Sequence, residues 1–342
     1  MSLAGQAPLD RHINIIPDYT YYWLIAFEDY YLYTGDIDFI KRIWKKIESI
    51  ADFVINDLDE RGMITEQEKD WVFIDWADFD SPHEYAQCAE QILVYKAMCV
   101  MAKFAKMFSC DASRYEKYAK IAENNIELFW DEEKGGYVDS FETGNRHIMR
   151  QQNIFALLYL DITEERRKTI IENVLKNKDV PEITTPYFRF YELDAMMTAG
   201  ETDFVLNTLR DYWGGMVKLG ATTFWEGYSQ SDVGDEHYNM YGIAGAKSLC
   251  HAWSAGPLFI IGKYICGVYP TSPEYKTFEV KPNLGDLEYV QTVVPTPKGN
   301  INVYVDKLEV KVECDFDGGT LIIDSKTYKI PSGGINIKRI AE

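Results

Sequence analysis

The chain has 342 residues, 46% of them hydrophobic and 14% aromatic, with 24 tyrosines and 8 tryptophans. That length exceeds the usual single-core size and predicts one large helical domain with a smaller appendage, and the aromatic surplus favours a ligand-stacking role over a plain scaffold. A formal net charge of -19 argues against nucleic acid and against an anionic membrane as partners, because phosphate recognition needs a basic stripe that no segment supplies.

Residues 1 to 16 carry little periodicity, and Ile16-Pro17-Asp18 gives a stop before a helix in which Trp23, Phe27, Tyr30 and Tyr31 recur at helical spacing until Gly35. A second helix opens at Asp36 or Asp38 and sets Ile40, Ile43, Trp44, Ile47, Ala51, Val54, Ile55 and Leu58 on one face, so the two are expected to pack as an αα-hairpin. Asp70-Trp71-Val72-Phe73-Ile74-Asp75-Trp76 is too short and too aromatic for an independent helix and reads as a loop or short strand lining a site. Ser81-Pro82-His83-Glu84 predicts the next helix start, with Ser81 as cap, Pro82 in the first turn and Glu84 closing a capping box. Its stripe runs from Tyr85 to Phe108; Asp111 then opens a helix expected to turn Tyr115, Tyr118, Ala119, Ala122, Ile126 and Phe129 inward, and Lys134-Gly135-Gly136-Tyr137 makes a turn.

Further helices are expected near 148–160, 163–177, 186–199 and 201–216, and two more between about 240 and 265. Some of the intervening loops are short. Others carry the aromatic-acidic stretches at Trp71, Thr184-Thr185-Pro186-Tyr187 and Gly220, which suggests one decorated face of a ring of hairpins. From Tyr269-Pro270-Thr271-Ser272-Pro273 onward the period changes to two, at Phe278-Glu279-Val280, Val303-Tyr304-Val305, Leu308 to Val312 and Leu321-Ile322-Ile323. With turn signals between them, these predict an antiparallel β-sandwich. The fold class is therefore mainly α with a β appendage: an (α/α)6-barrel-like helical domain over 1–268, followed by a β-sandwich over 269–342.

The chemistry centres on Gly220-Ala-Thr-Thr-Phe-Trp-Glu-Gly-Tyr228. Trp225, Tyr228 and the two threonines surround the single carboxylate of Glu226, and sugar-handling sites are built from such rings and carboxylates: ring faces stack on CH faces, and an apolar surround raises a carboxyl toward the range of efficient proton transfer. The plainer alternative is a half-buried Trp-Glu pair.

Cys88, Cys99, Cys110, Cys250, Cys266 and Cys314 lie far apart with no CxxC spacing and read as buried free thiols. The five histidines are scattered, none four residues from another, so neither a metal nor another cofactor is implied. No stretch of about 18 apolar residues predicts a membrane span, and no signal peptide is present, which leaves the location open between cytoplasm and export.

Four segments together resemble the α-L-rhamnosidases of glycoside hydrolase family 78: Ile16-Pro17-Asp18-Tyr19-Thr20-Tyr21-Tyr22-Trp23, Trp71 to Trp76, Gly220 to Glu226, and Ser248-Leu-Cys-His-Ala-Trp-Ser254. They occur in the family's order over nearly the whole chain and are followed by a β domain. The resemblance implies an (α/α)6 barrel that removes terminal α-L-rhamnose with inversion, acting on a rhamnose-containing saccharide or glycoside. By resemblance Glu226 falls on the general base, His251 on a sugar-contacting histidine, and Trp23, Asp75, Trp76 and Trp225 on pocket-lining positions; core packing is the plain alternative for the tryptophans and His251. An inverting enzyme needs its base and acid roughly 6.5–9.5 Å apart to admit a water. The family's general acid lies in an Asp-Cys-Pro-type motif upstream of the Ile-Pro stretch, with no counterpart here, so the barrel is expected to be incomplete at its N-terminus and hydrolysis by this chain alone to be poor. A catalytically inactive carbohydrate-binding relative that keeps the aromatic pocket is the alternative; oligomeric state is left open.

Overall fold

Helix α1 (Pro17–Thr34) starts on the proline itself, whose fixed φ suits a first helical turn, and ends where Gly35 turns to a φ of 71°. The structure, a computed structural model, describes residues 16–65, 72–80 and 84–338. Its contacts group into two units, one taking the described part of Met1–Glu28 with Ile37–Ile183 and the other Asp29–Asp36 with the described part of Thr184–Glu342.

In the first unit, α2 (Ile37–Asp57) buries Ile40, Trp44, Ile47, Ala51, Val54 and Ile55 along the stripe read from the sequence. Helix α3 (Cys88–Met107) is buried on nearly every side, which makes it the interior helix, and α4 (Ser113–Ile126) packs beside it through Tyr115, Ala119, Ala122 and Ile126. A short hairpin of β1 (Trp130–Asp131) and β2 (Gly136–Tyr137) stands at the predicted glycine turn. Helices α5 (Arg150–Tyr159) and α6 (Glu164–Ile170) follow, and α6 is capped by Thr163 and widens into a π turn over Ile171–Leu175.

The helix expected to open at Ser81 begins instead at Cys88, while Trp71 and Ser81, Pro82 and His83 lie outside the described residues. Gln87, immediately before it, gives no side-chain cap; its amide donates to the carbonyls of Asp80 and Tyr85 and ties the preceding loop together.

In the second unit Thr185 caps α7 (Pro186–Thr198) by accepting from the Phe188 amide at 3.1 Å, with Pro186 in the first turn. Helix α8 (Thr202–Thr208) continues through a π turn (Leu209–Trp213) into α9 (Gly214–Lys218), so the single helix expected over 201–216 contains a widened middle. Between 240 and 265 there is one α-helix instead of two: α10 (Gly256–Ile260), prolonged by a π turn over Ile261–Ile265. The preceding stretch breaks because Tyr241, Gly242 and Gly245 all adopt positive φ.

The strands then form two four-stranded sheets. One has the order β5 (Tyr289–Thr296), β6 (Gly299–Asp306), β7 (Glu309–Glu313), β10 (Ile335–Lys338); the other has β3 (Val268–Pro270), β4 (Phe278–Val280), β8 (Gly319–Ile323), β9 (Lys326–Ile330). Every pairing is antiparallel except β4 with β8, which is parallel. Phe278, Val280, Leu321 and Ile323 of one sheet share a buried core with Val303, Val305, Val310 and Val312 of the other. All six cysteines are free, but Cys110 and Cys250 are exposed, since one follows the end of α3 and the other stands in the loop before the turn at Ala252–Ser254, and Cys99 on α3 is only half-buried; Cys88, Cys266 and Cys314 are buried as expected. Among the described residues no helix is long and apolar enough to cross a membrane.

Candidate functional site

Two groups of side chains carry the candidate chemistry, one in each unit. In the first, the loop over residues 72–80 is fastened by polar contacts. The Phe73 amide donates to Oδ2 of Asp18 at 3.0 Å, and Asp18 is fully buried. Oδ1 of Asp75 accepts from the Trp76 amide and Oδ2 from Gln151 Nε2, each at 2.9 Å. Farther along, the Asp80 amide donates to Oδ2 of Asp139, which also meets Nδ1 of His147 at 2.6 Å.

These anchors set a ladder of rings. Tyr19 meets Phe73 edge-on at 6.4 Å and Phe73 meets Trp76 edge-on at 5.0 Å. Phe73 is buried while Trp76 is 43% exposed, so a tryptophan face is presented on a fixed backing. Burial pushes the Asp18 carboxyl up to about 6, against the pull of the Phe73 amide. Hydrogen bonding to Asp139 raises the His147 imidazole above its ordinary value, with partial burial opposing. Trp23 sits on α1, half-buried, with its ring against Phe27 at 4.6 Å.

In the second unit, Glu226 is 5% exposed and held from three directions. Its amide donates to the Ser248 carbonyl at 2.8 Å, the Ser248 amide donates back to Oε2 at 2.9 Å, and the Tyr241 hydroxyl donates to Oε1 at 2.5 Å. The Trp253 indole N–H donates to the Glu226 carbonyl at 2.9 Å. Trp253 stacks on Tyr187 at 5.8 Å, and the His251 ring lies 4.9 Å from Trp253. The His251 amide donates to the Phe224 carbonyl at 2.7 Å, so the segments around 224–226 and 248–253 are laced side by side. Trp225 is buried, against Tyr238 at 5.6 Å, and Tyr228 stacks on His237. Lys247 is also buried; its ammonium is pulled below the ordinary value by burial, while Asp232 and Glu226 oppose that shift. Each carboxylate oxygen has more than one acceptor site, so Glu226 can take a further hydrogen bond from a water or a sugar hydroxyl.

The structure thus brings Asp75 and Trp76 together on one loop, and Trp225, Glu226 and His251 together on two laced segments. Sequence reading missed Gln151, Tyr241, Trp253 and the Ser248 amide. Trp253 stands inside a motif that was singled out, and Tyr241 precedes a glycine in Asn239-Met-Tyr-Gly242, a turn signal that could have drawn notice. Among the described residues no group of three or more His, Cys, Asp or Glu could hold a metal.

Residues 4–265 match the family described as bacterial alpha-L-rhamnosidase 6 hairpin glycosidase domain. Among solved structures, the chain is similar to a glycoside hydrolase family 78 rhamnosidase of Bacillus sp. GL1, at 27% identity and a TM-score of 0.74 over 85% of this chain and 31% of that one. It is also similar to a rhamnosidase from Klebsiella oxytoca with rhamnose bound, at 26% identity and a TM-score of 0.57, over 71% of this chain and 45% of that one. An α-L-rhamnosidase from Aspergillus terreus shares the fold at 16% identity and a TM-score of 0.73, with 94% of this chain and 38% of that one covered. The chain spans less than half the length of each of these three structures. No curated protein matches the sequence.

Proposed function

The chain belongs to the bacterial α-L-rhamnosidase six-hairpin glycosidase family, and from that premise we propose that it serves the hydrolysis of terminal α-L-rhamnosides, with inversion and with Glu226 as general base. The observation that carries the reading is the buried Glu226 carboxylate, fixed through Oε2 by the Ser248 amide and through Oε1 by the Tyr241 hydroxyl, with the Glu226 carbonyl held by the Trp253 indole, against which the His251 and Tyr187 rings pack. A base that takes a proton from water must hold one orientation while the water approaches the anomeric carbon, and two hydrogen bonds on separate oxygens provide that.

Asp75, Trp76 and His251 are assigned to the saccharide: a carboxylate for hydroxyls, an exposed ring for a CH face or the sugar's methyl group, and an imidazole for a further hydroxyl. Trp23 and Trp225, which the resemblance also assigns to the sugar, are less open than Trp76. The Klebsiella oxytoca relative holds rhamnose, which supports rhamnose as the ligand here.

The test is Glu226→Gln, assayed on a nitrophenyl α-L-rhamnoside, whose activated leaving group needs little protonation and so gives a turnover to follow where the general acid has no counterpart, with folding followed by circular dichroism. Turnover falls by roughly 10²- to 10⁴-fold with the fold kept if Glu226 is the base. Proton NMR of the first product then reads the anomer; release of the α-anomer would overturn inversion, and an unchanged rate would remove Glu226 from the mechanism.

A further inference from the structure

The residue that touches Oε1 of Glu226 occupies an unfavourable backbone position. Met240 and Ile243 face each other as an antiparallel bridge, with the Met240 amide donating to the Ile243 carbonyl at 3.2 Å and the Ile243 amide to the Met240 carbonyl at 2.9 Å. Only Tyr241 and Gly242 lie between them, at φ values of 54° and 72°. A two-residue hairpin with positive φ at both central residues is the turn that asks for Asn-Gly or Asp-Gly, because a bulky side chain at the first position crowds its own carbonyl. Gly242 fits the requirement; Tyr241 does not.

Burial supplies little of the reason for the tyrosine, since Tyr241 is 62% exposed. Its hydroxyl, however, reaches back to the buried Glu226 carboxylate at 2.5 Å. The phenol is pushed up to about 12 by partial burial and then by the hydrogen bond and charge of Glu226, so it remains a donor throughout the neutral range. A strained, exposed aromatic whose clearest polar contact is with a buried acid is the pattern of strain kept for a site.

We propose that Tyr241 is a positioning residue for Glu226: the strained hairpin at 240–243 exists to deliver one phenol to Oε1, which fixes the carboxylate plane against the Ser248 amide on Oε2. The proposal rests on the reading of Glu226 as the base for its catalytic consequence, but not for the positioning itself. When Tyr241 is lost, Oε2 keeps its amide and Oε1 swings, so fewer encounters present a correctly aimed oxygen to the water. The effect falls on kcat, not on KM, because sugar contacts are untouched.

Two variants separate this role from a structural one. Tyr241→Phe keeps the ring and the strain and removes the donor. Tyr241→Asn takes away the phenol that reaches Oε1 and places at the turn the residue it prefers. In both, kcat on an aryl α-L-rhamnoside falls by about 10-fold with KM within about twofold, a modest share of what a positioned base supplies. Both variants lose the bond to the buried Oε1 and only Tyr241→Asn relieves the turn, so its melting temperature equals or exceeds that of Tyr241→Phe. A lower melting temperature in Tyr241→Asn than in Tyr241→Phe would mean the ring is kept for the loop's stability and would overturn the proposal, as would an unchanged kcat in both variants. Crystals of Tyr241→Phe give a reading independent of turnover: a displaced or doubly oriented Glu226 carboxylate supports the proposal, and a single, unmoved carboxylate rejects it. Glu226→Gln, run alongside, tests the other reading; turnover indifferent to Glu226→Gln overturns the base assignment, whereas turnover lost in Glu226→Gln but intact in both tyrosine variants overturns only the role of Tyr241.

Discussion

Gln151, in the first turn of α5, donates its side-chain amide to Oδ2 of Asp75 at 2.9 Å, and both residues are buried. This bond joins the loop that presents Trp76 to the helical core of its unit. Replacing Gln151 with Leu leaves that buried oxygen without its amide partner, a loss of roughly 1–3 kcal/mol. Urea unfolding of Gln151→Leu therefore shows a lower midpoint with an unchanged slope; an unshifted midpoint would show that the bond contributes nothing.

The pair His147 and Asp139 gives the same unit a pH dependence. The His147 value is raised above the ordinary 6.5, chiefly by its hydrogen bond to Asp139. A basic group raised in the folded state adds stability that is fully present below its unfolded value and is lost as pH rises through the folded one. The stability gap between the parent and His147→Ala is thus wider at about pH 5.5 than at about pH 8.5. Its size stays below about 1 kcal/mol, because the imidazole is more than one-third exposed and screened by water. Paired unfolding curves at the two pH values check it, and a gap that widened with pH would reject the assignment.

How much of this was legible in the sequence varies with the range of the interaction. The strands at Phe278–Val280, Glu309–Glu313 and Gly319–Ile323 followed directly from alternation, because each buries one side on a common core. Edge strand β5 escaped notice, since its alternate residues stay exposed and it includes Gln291, Thr292 and Pro295. The start of α3 was read at Ser81 on local capping grammar, whereas Gln87 at the real boundary spends its amide on the loop carbonyls of Asp80 and Tyr85. The Glu226 carboxylate stood out beside Trp225, but its partners did not. Tyr241 and Ser248 lie 15 and 22 residues away and reach it only after the chain has reversed at Gly242 and Gly245.

The entry into the β-sheets depends on Gly267. Its φ is 75°, and a Cβ placed there would lie 2.1 Å from the backbone carbonyl of Lys281, which cannot yield as a side chain would. Gly267→Ala combines the left-handed penalty of about 1–2 kcal/mol with that clash and is expected to cost about 2–4 kcal/mol. Gly333 also has a positive φ but nothing within 4 Å of its added Cβ, so Gly333→Ala carries the backbone penalty alone. Thermal melting of the two variants should rank them in that order; equal melting temperatures would remove the clash from the account.

Asp18 makes the sharpest pH prediction. It is fully buried, its Oδ2 accepts the Phe73 amide at 3.0 Å, and its Oδ1 has no hydrogen-bond partner among the described residues. Burial pushes the carboxyl from 3.8 up to about 6, because an ionised group there would leave a charged oxygen without solvent or donor. An acid raised in the folded state keeps its proton after the unfolded chain has lost it. Stability therefore falls as pH rises from about 4 to about 6 and then levels off, by about 3 kcal/mol at most for this group. Asn at position 18 retains an oxygen for the Phe73 amide and has no proton to lose. Asp18→Asn and the parent should thus unfold at similar urea concentrations near about pH 4, and the variant should pull ahead by about pH 7. If the two curves keep the same separation at both pH values, or if the variant is the weaker at neutral pH, the buried carboxyl is not the source of the slope and the loop carrying Trp76 is anchored by something other than the Asp18 to Phe73 bond.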